Sequence, residues 1–119
     1  MRFCWSTISV KDMEESLDFY TNVIGLSLNE RRNVGPTREL AFLGGQTQVE
    51  LIYDESATGY KKIEGISLGF ELNKPEETKA LLKRRGIEIE SGPFTPNPHI
   101  TYFFIRDPNG VKIQLLEKH

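Results

Sequence analysis

One pattern runs twice through this chain of 119 residues, and few folds can accommodate such a repeat. Residues 3–10, FCWSTISV, set Cys4, Ser6, Ile8 and Val10 on one face of an extended segment and Phe3, Trp5, Thr7 and Ser9 on the other. Asp12 follows, with Glu15 three residues on, a helix start of the capping-box type. The spacing predicts a helix to Val23 or Ile24, with Met13, Leu17, Tyr20 and Ile24 as its apolar stripe. Gly25 then closes it, because the left-handed backbone of a helix C-cap costs glycine least. Residues 26–31, 39–43 and 48–53 are three strand candidates, punctuated by Gly35-Pro36 and Gly44-Gly45.

Residues 54–62, DESATGYKK, are polar and aperiodic and read as a linker, after which the pattern restarts. In GISLGFEL, residues 65–72, Ile66, Leu68, Phe70 and Leu72 alternate with Ser67, Gly69 and Glu71. Asn73 and Pro75 open a second helix, and Gly86 ends it after the basic run Lys83-Arg84-Arg85, which suits the negative end of the helix dipole. Residues 87–90, 102–105 and 111–116 are the last strand candidates, the final pair joined by the turn Asp107-Pro108-Asn109-Gly110.

Register ties the halves together. Trp5 lies five residues before Val10 as Ser67 lies five before Leu72, while Glu50 follows Gly25 by 25 residues and Gln114 follows Gly86 by 28. Trp5 therefore matches Ser67, and Glu50 matches Gln114. The expected fold is α+β: two βαβββ repeats, about 1–54 and 63–119, separated by a linker at 55–62 within a single domain 1–119. A ferredoxin-like sandwich is the competing topology, and the strand-rich run after each helix argues against it.

Composition narrows the function classes. With 15 basic and 17 acidic side chains the formal charge is −2, and no basic stripe suggests nucleic acid. No apolar run reaches membrane-spanning length, and the N-terminal residues run into a strand pattern without a signal-peptide signature. Cys4 is the one cysteine, so no internal disulfide forms and a cytoplasmic location is expected.

The opening RFCWSTISVKDMEESLDFYTNVIGLSL resembles the first motif of glyoxalase I and its relatives in the vicinal oxygen chelate superfamily, which includes bleomycin-resistance proteins and extradiol dioxygenases. The closing FFIRDPNGVKIQLLE is similar to their last hairpin, and AFLGGQTQVELIYD to the strand that ends their first repeat. The resemblance implies that each βαβββ unit, an antiparallel-rich curved sheet with one helix, forms half of a cup. It also implies a divalent metal held by four side chains, from the first and last strands of each repeat. Carried onto this chain, those positions are Trp5, Glu50, Ser67 and Gln114. Glu50 is a competent ligand and Gln114 a weak one, while Ser67 is poor and an indole nitrogen only donates. Neither His99, in the loop at 96–99, nor the terminal His119 falls in register to replace them. No resident cofactor is expected; a nickel, zinc or manganese ion at Glu50 and Gln114 is the exception to test.

By alternation Trp5, Thr7, Ser9, Gln48, Glu50, Ile52, Ser67, Gly69, Glu71, Lys112, Gln114 and Leu116 face the cup. Cys4, Ile8, Val10, Val49, Leu51, Tyr53, Ile66, Leu68, Phe70, Leu72, Ile113 and Leu115 face the helices. A mixed wall of this kind suits a small organic ligand, with Trp5, Thr7, Gln48, Glu50, Ser67, Lys112 and Gln114 as its candidate contacts. Glu50 is the sharpest of them. A carboxylate in a closed cup needs water, a cation from the protein (Lys112 is the same-face candidate) or a cationic ligand. The leading expectation is a metal-free binder of an antibiotic or metabolite, and the resemblance implies a homodimer. The alternatives are a lyase or isomerase like lactoylglutathione lyase, with Glu50 as its base, and a non-catalytic dimeric structural or regulatory module.

Overall fold

Alternating side chains become sheets here because each strand has one face to bury. The computed structural model describes residues 1–57 and 63–119, so most of the expected linker lies outside the described residues. The chain forms two units, Met1–Lys62 and Ile63–His119. Each is a βαβββ repeat of the predicted kind.

In the first unit β1 (Trp5–Ser9) leads to α1 (Met13–Asp18), and β2 (Leu28–Val34), β3 (Arg38–Gly44) and β4 (Gln48–Asp54) follow. The sheet order is β1-β4-β3-β2, with β1 parallel to β4 and the other pairs antiparallel. Ile8, Ala41, Leu43, Val49 and Leu51 turn to the helix side and are buried, Ala41, Leu43 and Leu51 completely. Each of those leucines contributes roughly 1.5–3 kcal/mol by leaving water.

Asp12 caps α1 by accepting a hydrogen bond from the Glu15 amide at 2.9 Å, as the sequence predicts. The predicted helix does not stay regular. From Phe19 to Val23 it widens into a π-turn, closed by Ile24 N–H donating to the Phe19 carbonyl at 3.0 Å. The extra residue in that turn shifts the apolar stripe. Phe19 and Tyr20, adjacent in sequence, are both buried and meet edge to face, and Val23 replaces Ile24 on the inner side. Gly25, with φ 89°, ends the segment as predicted.

The second unit repeats the plan with β5 (Ser67–Glu71), α2 (Pro75–Arg84), β6 (Ser91–Asn97), β7 (Ile100–Arg106) and β8 (Lys112–Lys118), in sheet order β5-β8-β7-β6. Phe103, Ile105, Ile113 and Leu115 fill the helix side. The β7–β8 turn is pinned by Asp107, whose Oδ1 accepts from the Asn109 and Val111 amides at 2.8 and 2.7 Å.

Three expectations are corrected. The strand expected at 87–90 instead begins at Ser91 and runs through Pro93 and Pro96 into the segment read as a loop. An edge strand tolerates this because its outer N–H groups have no partner to lose, and β6 is such an edge, with register shifts in its pairing. Cys4 and Ile66, expected on the helix-facing side of the strands, lie just ahead of β1 and β5 rather than in them, and neither is fully buried. Cys4 is half-buried, its thiol donating to the Arg2 carbonyl at 3.4 Å, and Ile66 is exposed. No helix among the described residues is long and apolar enough to cross a membrane.

Candidate functional site

The ladder of the first unit fixes what stands beside Glu50 on the open face of the sheet, away from α1. Thr7 is its partner on β1, and Phe42 is its partner on β3. Trp5 lies one pleat along β1, opposite Gln48, and meets Phe42 edge to face with ring centroids 5.2 Å apart. The Glu50 side chain is thereby shut in, at 8% exposure for the residue, whereas Trp5 keeps 48%.

The Thr7 hydroxyl donates to Glu50 Oε1 at 2.6 Å. Among the described residues no cation pairs with Glu50, and Oε2 has no protein donor and is reached by solvent, since no buried side-chain oxygen among them lacks a partner. Gln48 is oriented by Asn29, whose Nδ2 donates to Gln48 Oε1 at 3.0 Å and to the Gly44 carbonyl at 2.7 Å. The site therefore offers a buried carboxylate with one free acceptor, a half-exposed indole with its companion phenyl ring, and an amide.

The corresponding face of the second unit has the same register and different chemistry. Ser67 pairs with Lys112 and Gly69 with Gln114, as Trp5 pairs with Gln48 and Thr7 with Glu50. Trp5 and Ser67 are thus repeat equivalents, as are Glu50 and Gln114. Phe104 stands opposite Gln114 as Phe42 stands opposite Glu50. The Lys112 ammonium sits 4.3 Å from the centre of the Phe104 ring, so the structure places it against an aromatic face rather than a carboxylate.

The rings of Phe42, Phe94, Tyr102 and Phe104 are site features that sequence reasoning missed. Phe42, Tyr102 and Phe104 lie in the runs LAFL and YFFI, where alternation has no contrast to report, and Phe94 lies between two prolines in a segment read as irregular. Only the ladder tells which ring faces which way. The one available signal was that Phe42 and Phe104 precede the matched positions Glu50 and Gln114 by eight and ten residues.

The four positions that the resemblance marks for a metal carry an indole, a carboxylate already bonded to a threonine, a neutral hydroxyl and a neutral amide. Of these only the carboxylate is a strong ligand for a divalent ion, and the donor set does not fit one. Among the described residues no three His, Cys, Asp or Glu side chains gather where an ion could be held. His99 and His119 sit near the Ile100–Lys118 end of the β7–β8 ladder, the other end from Lys112, where His119 Nε2 lies 2.9 Å from Thr101 Oγ1.

A cavity of about 460 Å³ opens on the opposite side of the first sheet, lined in part by Asp12, Arg31, Thr37 and Tyr53. Its central cation is engaged internally, since Arg31 bonds Glu14 of α1 and, at 3.0 Å, Glu39 of β3. Those bonds, to Glu14 first and then Glu39, raise the guanidinium above its ordinary value. The network ties helix to sheet and has no contact with Glu50.

Comparison with known proteins gives a consistent neighbourhood. The family model described as "Glyoxalase/Bleomycin resistance protein/Dioxygenase superfamily" matches residues 2–115. A lactoylglutathione lyase of Neisseria meningitidis is 30% identical over 127 residues, covering 99% of this chain and 91% of that protein. The uncharacterized protein YwbC of Bacillus subtilis is 31% identical over 118 residues, covering 93% of each. Among solved structures, the glyoxalase I of Leishmania major superposes with a TM-score of 0.83 at 26% identity, covering 98% of this chain and 86% of that one. The Streptomyces antibiotic binding protein TnmS3 shares the fold alone, with a TM-score of 0.75 at 20% identity, covering 100% of this chain and 97% of that one.

Proposed function

The chain belongs to the glyoxalase/bleomycin resistance protein/dioxygenase superfamily, and from that premise we propose that it binds a small organic cation with an aromatic part, without a resident metal. The observation that carries this reading is Glu50, shut in at 8% exposure with one oxygen held by Thr7 and no cation beside it among the described residues. A carboxylate so largely withdrawn from water, with no cation beside it, gains from a ligand that supplies the missing charge at the oxygen left open to solvent. Trp5 and Phe42 complete the description of that ligand. An ammonium drawn to Glu50 Oε2 lies within reach of their faces, and cation–π attraction adds about 0.5–2 kcal/mol where water is excluded.

The absence of good ligands at three of the four metal positions supports a metal-independent role. A lyase activity like that of the Neisseria relative is the rival, with Glu50 as proton acceptor and a weak centre at Glu50 and Gln114. The relatives' name favours it, and the donor set weighs against it.

The test uses protein treated with a chelator and titrated with phenethylammonium and with the uncharged 2-phenylethanol, read through the fluorescence of Trp5, the only tryptophan. The ammonium is expected to bind about tenfold more tightly, as one charge-assisted hydrogen bond provides, and Glu50→Gln to erase the difference. Equal affinities, or a preference that survives Glu50→Gln, would overturn the proposal.

A further inference from the structure

The two repeats have the same ladder but opposite charge at matched positions. Where the first unit has Gln48 and Glu50 on its last strand, the second has Lys112 and Gln114. On the first open face Glu50 has no cation beside it, since Arg32 on that face is bonded to Glu30; on the second Lys112 makes no ion pair among the described residues. The three other charged groups on that face, Arg106, Glu71 and Lys118, are already matched. Arg106, opposite Lys112, is held by Glu90 and by the Gly110 carbonyl at 3.0 Å, and Glu71 lies 3.7 Å from Lys118.

Around Lys112 the second face is aromatic. Phe94, Tyr102 and Phe104 form one cluster, with centroids 5.5 Å apart for Phe94 and Tyr102 and 5.7 Å for Tyr102 and Phe104. Phe94 remains 43% exposed, unusually open for a ring with two aromatic neighbours. Opposite Gln114 the first strand has Gly69, where a side-chain carbon would come within 3.3 Å of Gln114 Oε1. That missing side chain keeps the floor beside Lys112 low and leaves the amide uncovered.

We propose that the open face of the second unit is a binding site for a planar aromatic carboxylate. Its carboxylate meets the Lys112 ammonium, and its ring lies against Phe94, Tyr102 and Phe104. Lys112 is suited to this because its contact with Phe104 holds the ammonium over the cluster without neutralising it, so little side-chain freedom is lost on binding. The same position in the first unit is Gln48, so a carboxylate has no cation to meet there and is repelled by Glu50. The proposal rests on the reading of the open faces as ligand faces, and it assigns the second face a class opposite in charge to the first.

The experiment is an NMR titration of the full chain with 2-naphthoate and, separately, with 2-naphthylmethylammonium. Naphthoate is expected to shift the amides of residues 102–104 and 112–114, and Lys112→Gln to weaken its binding about fivefold, the loss of one partly exposed ion pair. Lys112→Arg should retain most of the affinity. Lys118→Gln removes the same charge from the same strand outside the cluster and should leave binding unchanged. Naphthoate shifts that fall elsewhere, equal losses in Lys112→Gln and Lys118→Gln, or a naphthylmethylammonium affinity equal to that of naphthoate at these residues would overturn the proposal. Failure of the first unit is read separately, as loss of the ammonium response at Trp5, so the two proposals fall independently. Since Lys112 is only half-buried, its variants are expected to fold, and an unchanged amide spectrum in the absence of ligand checks this.

Discussion

Glu50 and Thr7 form a pair whose energetics differ from those of an ordinary surface contact. The hydroxyl donates to a largely buried carboxylate, and hydrogen bonds to charged groups contribute about 1.5–3 kcal/mol. Thr7→Val is therefore expected to lower stability by about 1–2 kcal/mol in urea unfolding, the lower end because Thr7 is itself exposed. Glu50→Gln should act in the other direction, since it removes a charge that has no cation beside it, and a gain of about 1 kcal/mol is expected. The two changes share one bond, so Thr7→Val should cost less than half as much in the Glu50→Gln background. Equal costs in both backgrounds would show that the charge of the acceptor adds nothing to the bond, since the glutamine amide oxygen still accepts from Thr7. A stabilising substitution that abolishes ligand binding is the behaviour of a site residue, whereas a core residue loses both together.

At the scale of elements, α1 depends on its cap more than a longer helix would. It spans six residues, Met13–Asp18, before the π-turn, too few to stand without its capped end and its packing on β4. Asp12→Ala should lower stability by about 1 kcal/mol and Asp12→Asn by much less, measured by thermal unfolding. Equal losses would show that charge, not the hydrogen bond to Glu15, is what matters. The cap was legible in the sequence because it is a local chemical signal, three residues long. So were the two glycine C-caps and the Asp107–Gly110 turn, where φ is 86° at Gly110. The π-turn was not legible, because Phe19-Tyr20 fits a regular helix equally well until the core demands both rings. β6 was misplaced because Gly92, Pro93 and Pro96 carry every local sign of a loop, and only its edge position makes them acceptable.

For the molecule as a whole, the repeat was the most legible property, since identical ladders need matched alternation in both halves. The pairings of Trp5 with Gln48 and of Ser67 with Lys112 follow from it directly. The candidate sites were half legible. Glu50, Trp5 and Lys112 could be placed on a face by counting, but the rings that give each face its character could not, nor could Thr7 be identified as the hydrogen-bond donor to Glu50. The two copies share a ladder and have diverged in the chemistry it displays. The four positions that the resemblance marks for a metal carry an indole, a hydroxyl and two different polar groups, and Glu50 on one face and Lys112 on the other have no ion-pair partner among the described residues. On the proposed reading the Glu50 site takes an organic cation and needs no metal. This is tested most directly by metal analysis of protein purified without chelator, followed by titration of phenethylammonium with and without EDTA while Trp5 emission is watched. A metal-independent site gives far less than one metal ion per chain after dialysis, no response of Trp5 to micromolar nickel, zinc or manganese, and the same affinity for the ammonium in both titrations. Near-stoichiometric metal that survives dialysis, or an affinity that disappears on chelation, would contradict it and return Glu50 and Gln114 to the role of ligands.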